Sequence, residues 1–173
     1  YDWKGDDAVA AFDYTRHKDA ILDYWKGALE RNRNYENIYP LGIRGIHDGA
    51  YRCADLSETF GTEVAMMADV IREQRRLIAE VFGAEDAVAQ VFVPYKEIGE
   101  LYNHGLKRYV PDDVILMWAE DNYGYLRQIP APEERARSGG SGVYYHISYW
   151  GYPKSWLWLN SIQYSLMVEE LRR

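Results

Sequence analysis

Four short apolar runs, separated by helix-length or loop segments and never joined as hairpins, limit this chain to a parallel sheet. They are residues 38–42, 90–94, 114–117 and 142–147. Between the first and second lies a long helical pattern over residues 62–82, with Val64, Met67, Ala68, Ile71, Leu77, Ile78 and Val81 on one face. Gly83 sits where a helix ends. An earlier helix is expected over Tyr14–Asn32, with Ile21, Leu22, Trp25 and Leu29 facing a core. Residues 95–107 read as a short helix, 130–137 as a polar loop or short helix, and 138–142 (Ser-Gly-Gly-Ser-Gly) as a flexible hinge. Asn160 is placed to cap a last helix over residues 161–173. The run at 114–118 is continuously apolar and reads as a strand buried on both faces.

A parallel sheet is either doubly wound or closed into a barrel. A glycine-rich dinucleotide loop after the first strand would favour the former, and Gly42-Ile-Arg-Gly45 lacks the GxGxxG spacing. There is no GxxxxGK[ST] loop and no GxSxG elbow. The fold class expected is therefore α/β, a parallel (β/α)8 TIM-type barrel of which about half is present, because four strands cannot close the usual cylinder. Residues 1–173 are expected to be one partial catalytic β/α-barrel domain with no second domain. Tyr1-Asp2-Trp3 carries no initiator Met, so the chain is expected to be cut from a longer one.

Composition removes several function classes. Twenty basic against 27 acidic residues give a net charge of −7, which disfavours nucleic acid as a partner. No apolar run approaches the roughly 20 residues of a membrane helix. Cys53 is the one cysteine, so there is no internal disulfide and no CxxC metal spacing; it reads as a small core residue. Aromatic residues make up 15% of the chain, with 16 Tyr and 6 Trp, and they suit both cores and sugar-binding clefts.

A β/α barrel carries its active site where the strands end. After the first strand come Arg44, His47 and Asp48; after the second, Tyr95, Lys96 and Glu97. After the third come Glu120, Asp121, Asn122 and Tyr123; after the fourth, His146, Tyr149 and Trp150. Each has an ordinary structural explanation. Asp48-Gly49 is a turn dipeptide, and Glu97 sits where a helix dipole favours a carboxylate. Asp121-Asn122 suits a strand-to-helix junction, His146 suits a satisfied core, and Arg44 and Lys96 suit solvent. Taken together at one rim, they offer carboxylates for acid/base work and cations for an anionic ligand. A catalytic metal is the rival chemistry, from His47, Asp48, Asp121 and His146, but no HxH or HExxH pair supports it.

Four stretches carry a resemblance to a known family: Asn34-Tyr-Glu-Asn-Ile-Tyr-Pro-Leu-Gly-Ile-Arg-Gly-Ile-His-Asp48, Val91-Phe-Val-Pro-Tyr-Lys-Glu97, Leu116-Met-Trp-Ala-Glu-Asp-Asn-Tyr-Gly-Tyr125 and Ser138-Gly-Gly-Ser-Gly-Val-Tyr-Tyr-His-Ile-Ser-Tyr-Trp-Gly151. In this order they resemble glycoside hydrolase family 115, the xylan α-glucuronidases, and the resemblance runs from Tyr1 to the Trp158-Leu-Asn160 segment. It implies removal of α-1,2-linked glucuronic acid, or its 4-O-methyl ether, from glucuronoxylan or its oligosaccharides. It implies inversion, no cofactor and no metal. It also implies a barrel inside a longer multidomain chain, whose early and closing strands are not in these residues. The matching positions are Arg44, Asp48, Tyr95, Glu97, Asn122, His146 and Tyr149. None departs from the family pattern.

The expected mechanism follows from that resemblance. Asp48 and Glu97 form the catalytic pair; the reading leans to Glu97 as acid and Asp48 as base, with the reverse assignment left open. Arg44 binds the uronate carboxylate as a fork or holds Asp48 ionised, and Lys96 is a second cation for the uronate. Asn122, His146 and Tyr149 hydrogen-bond sugar hydroxyls or place the water, while Tyr95, Trp118 and Trp150 offer stacking faces. A non-catalytic acidic-xylan-binding piece and a metal-dependent barrel hydrolase are the alternatives. The 173 residues alone are expected to show little activity, because a half-barrel leaves open sheet edges. Location is expected to be secreted or periplasmic, from the polymeric substrate. A homodimer of the full-length protein is a further expectation.

Overall fold

The computed structural model describes residues 12–45, 49–146 and 162–172. The last residue of the expected fourth strand, Ile147, the cap at Asn160, and the rim residues His47, Asp48, Tyr149 and Trp150 fall outside them.

Helix α1 (Tyr14–Asn32) begins at Asp13, whose carboxylate accepts the Thr15 N–H at 2.9 Å. It leads to strand β1 (Tyr39–Leu41), shorter than the sequence suggests, with Ile38 left exposed. A short helix α2 (Leu56–Thr59) precedes α3 (Glu63–Phe82). Thr62 caps the start of α3, and Gly83, at φ +100°, ends it. Next come β2 (Gln90–Phe92), α4 (Glu97–Asn103), β3 (Ile115–Ala119), β4 (Ser141–Tyr144) and α5 (Tyr164–Arg172).

The four strands form one sheet in the order β1-β2-β3-β4, every pair parallel. A doubly wound sheet reverses its strand order at a switch point. Here the order follows the chain without reversal, which is the order of an arc of a barrel. The parallel α/β expectation holds for these four strands; closure into eight lies beyond them.

One face of the sheet packs on the helices. Leu116 and Trp118 are buried there, and Trp118 meets Tyr102 of α4 edge-on at 5.9 Å. Met66, Met67, Val70, Ile71 and Ile78 of α3 complete this core with Tyr14 and Ile21 of α1. The other face is half open: Ile115, Met117 and Ala119 alternate with the buried pair. So β3 is not buried on both sides as expected. Successive side chains point to opposite faces, and only one of those faces meets helices among the described residues.

Three local expectations change. The helix over residues 95–107 stops at Asn103, because Gly105 turns at φ +121° and a 3-10 turn follows at Leu106–Tyr109. Residues 130–137 form a 3-10 turn, Pro132–Ala136, in which Glu134 accepts the Ala131 N–H at 2.7 Å. The expected hinge at 138–142 is a fixed connection. Ser138 donates to Asp112 from both N–H and hydroxyl, Gly139 donates to the Asp112 carbonyl at 2.9 Å, and Ser141 already belongs to β4.

At the opposite ends of the strands, Arg75 of α3 is buried and donates to Gln90, Glu85 and Asp113, at 3.1, 3.2 and 2.8 Å. It ties the helix to the start of β2 and to the turn before β3. The polar network at that end is occupied in holding elements together.

Candidate active site

The chemistry gathers at the carboxyl ends of the strands. Gly42 ends β1 at φ +93°, and Gln74 of α3 grips its backbone from both sides, accepting its N–H at 2.8 Å and donating to its carbonyl at 3.2 Å. That grip fixes the exit of the chain toward Arg44. At the end of β2, Tyr95 and Lys96 lead into Glu97, the first residue of α4. Lys96 is the one described non-glycine residue at positive φ, 49°. Such a backbone costs on the order of 1–3 kcal/mol and is concentrated at functional sites.

The two exits meet. Arg44 Nε donates to Glu97 Oε1 at 3.0 Å and Nη2 to Oε2 at 3.2 Å, a two-point fork between residues far apart in sequence. Both side chains are about one-quarter exposed. So Arg44 is not a solvated cation, and Glu97 does more than complement its own helix. Two cations also flank one ring: the Arg44 guanidinium lies 5.4 Å and the Lys96 ammonium 5.1 Å from the centre of Tyr95. In a chain of net charge −7, this places positive charge together at one spot.

A cleft of about 490 Å³ opens there, lined by Arg44, Tyr95, Asn122, Tyr144 and His146. Of the residues expected at the site, Arg44, Tyr95, Asn122 and His146 share it, and Glu97 is held to it through Arg44. Lys96 lines a neighbouring cavity of about 300 Å³ with Tyr95, Trp118 and Glu120. Trp118 is a core residue at 2% exposure rather than an open stacking platform. Cys53 packs against Met66, and burial pushes its thiol up to about 11, which suits the inert reading.

Asn122 is presented by a turn, not by a strand-to-helix junction. Asp121 Oδ1 accepts the N–H groups of Tyr123 and Tyr125 at 2.8 and 3.1 Å, and its other oxygen pairs with Arg127. Burial works to raise the Asp121 carboxyl, but these two N–H groups and the Arg127 guanidinium outweigh it and hold the group below the usual carboxylate range. The chain then doubles back so that Leu126 bridges to Glu120.

Glu120 was one of several polar residues in its rim position, and nothing in its local sequence set it apart. It proves to be fully buried, with its carboxylate accepting the His146 N–H at 2.6 Å. Burial pushes it up to about 7 despite that hydrogen bond, and Glu170 of α5 adds to the rise. Glu170 sits on a helix whose sequence reads only as an amphipathic end, so no signal marked it. Among the described residues, no three His, Cys, Asp or Glu side chains come together as a metal site. No helix among them is long and apolar enough to cross a membrane.

Polar and charged groups from all four strand ends gather around one cleft on a sequentially ordered parallel α/β sheet. The chain belongs to glycosyl hydrolase family 115, whose sequence profile matches residues 2–173. Among solved structures it is similar to a family GH115 4-O-methyl-α-glucuronidase, BtGH115A, with specificity for decorated arabinogalactans. The two share 40% identity and a TM-score of 0.76 over 98% of this chain, which spans 21% of that one. No curated protein matches.

Proposed function

We propose that this chain is part of the catalytic domain of an α-glucuronidase, a β/α barrel completed by strands outside these residues. It removes α-1,2-linked glucuronic acid or 4-O-methylglucuronic acid from glucuronoxylan, with inversion. The observation that carries the reading is the Arg44–Glu97 fork beside Tyr95, at a cleft shared by Asn122 and His146. A fork that engages one carboxylate is shaped to engage another.

Uronate arrival at Arg44 exchanges the sugar carboxylate for that of Glu97. Lys96, which approaches the same Tyr95 ring, adds charge for the same anion. Freed from the guanidinium, Glu97 takes up a proton from solvent and delivers it to the leaving oxygen as the glycosidic bond breaks, while Asp48 takes a proton from the water that attacks the anomeric carbon on the opposite face. Asn122 and His146 hydrogen-bond the sugar, with Tyr149 as a further donor. The need to release Glu97 couples acid function to the presence of a uronic acid, so neutral sugars are poor substrates.

A second reading differs in the polymer. The similar solved structure is that of an enzyme with specificity for decorated arabinogalactans, which favours arabinogalactan as the backbone. The cleft holds one uronic acid in either case. The full-length protein, incubated separately with glucuronoxylan and with glucuronic-acid-decorated arabinogalactan, is expected to release free uronic acid as the β-anomer at first, followed by proton NMR. Release from arabinogalactan alone selects the second reading; release from neither, with folded protein, rejects both.

A further inference from the structure

We propose that Glu120 is a positioning residue for the site: a proton shared with Glu170 of α5 holds its carboxyl group, which in turn fixes His146 against the cleft.

The geometry has three parts. Glu120 is completely buried at the end of β3, and its backbone N–H donates to Tyr144 O at 3.2 Å. Its Oε2 accepts the His146 N–H at 2.6 Å and lies 3.7 Å from His146 Nδ1. One residue therefore holds both the end of β4 and the residue that lines the cleft beyond it. The His146 ring also packs edge-on against Tyr144 at 5.7 Å. Glu120 itself does not line that cleft, so its effect on substrate runs through His146.

The second part is the partner. Glu120 Oε1 and Glu170 Oε2 are both buried and receive no N–H or O–H donor among the described residues. Two adjacent ionised carboxylates repel, whereas a carboxyl–carboxylate pair with one proton forms a hydrogen bond that satisfies both oxygens. Of the carboxylates that act on Glu120, Glu170 acts most strongly. Glu170 is itself placed by the Leu126 N–H, which it accepts at 3.2 Å, and Leu126 bridges to Glu120. The third part is the surroundings. From β3's own exit, Asp121 adds negative charge, but its cation, Arg127, is engaged with Asp121. His146 faces Glu120 from the end of β4, and Lys96 and Glu100 line the adjoining cavity. Burial, then Glu170 and Asp121, keep the proton on Glu120 up to about pH 7.

The sign follows. Between the ordinary glutamate value of about 4.5 and about 7, native Glu120 keeps a proton that the unfolded chain has released. The stability from that proton is present at low pH and is lost as pH rises through this window. The inference rests on the α-glucuronidase reading, and its test has an arm that does not.

In the full-length protein, Glu120→Gln replaces the shared proton with an amide donor at every pH. The alkaline limb of the kcat/KM profile for uronic acid release is expected to move up by at least one pH unit. The Tm of the wild type is expected to fall relative to that of the variant between pH 5 and 8. Glu120→Ala is expected to lower kcat/KM tenfold or more, but less than twofold in a His146→Ala background. Parallel Tm curves overturn the shared proton, and an undiminished loss without His146 overturns the positioning role. If the wild type releases no uronic acid, the functional reading fails, and the Tm arm alone decides this proposal.

Discussion

Replacing Glu97 with alanine in the full-length protein is expected to lower kcat/KM for uronic acid release from glucuronoxylan by about 10³-fold, within the range for loss of a general acid. The loss should depend on the leaving group. A 4-nitrophenyl α-glucuronide departs as a stabilised phenolate and needs little protonation, so its cleavage should fall much less. Asp48→Ala should instead impair both substrates alike, because the water must still be activated. Steady-state kinetics on the two substrates separate these roles. An equal loss on both for Glu97→Ala would exchange the acid and base between the two residues. Near-normal turnover would remove Glu97 from the pair.

Glu97→Ala also frees Arg44 from the fork. The account expects KM for the uronide to fall or stay level while kcat collapses, since the substrate carboxylate no longer competes for the guanidinium. A large rise in KM would mean that the fork shapes the site rather than gates it.

The second large effect is on folding. Gly139→Ala would set a Cβ 2.5 Å from the Asp113 carbonyl oxygen and from the Val114 backbone, where no flexible side chain can yield. The connection into β4 must then shift, and with it the pairing that begins at Leu116 and Ser141. A destabilisation of about 2–4 kcal/mol is expected, in the range for overpacking against rigid neighbours. Gly140→Ala meets open space and pays only for its left-handed backbone, about 1 kcal/mol, so it serves as the control. Urea unfolding of both variants in the full-length protein checks the ordering.

The sequence pattern located the long helices, the four strand positions and the rim, because helical and strand periods are local. It misjudged β3, where a continuous apolar run hides an alternation set by which face meets helices. It misjudged residues 138–142 as well: glycine there serves close packing against Val114, and composition alone looks the same for a packed glycine and a flexible one. The rim positions of Arg44, Tyr95, Asn122 and His146 were also legible, but their partnerships were not. Arg44 with Glu97, and Glu120 with Glu170, join separate elements, and no spacing rule connects them. Asp121-Asn122 suited a strand-to-helix junction and forms a turn, because the two N–H donors to Asp121, from Tyr123 and Tyr125, follow it closely in the chain.

The central claim is that the cleft beside the Arg44–Glu97 fork holds the uronic acid. A crystal structure of the full-length protein with glucuronic acid tests it most directly. The account predicts the sugar carboxylate within hydrogen-bond reach of the Arg44 guanidinium, about 3 Å, with Glu97 displaced from its fork and the ring between Tyr95, Asn122 and His146. A well-ordered sugar bound elsewhere, with the fork intact and this cleft empty, would contradict it.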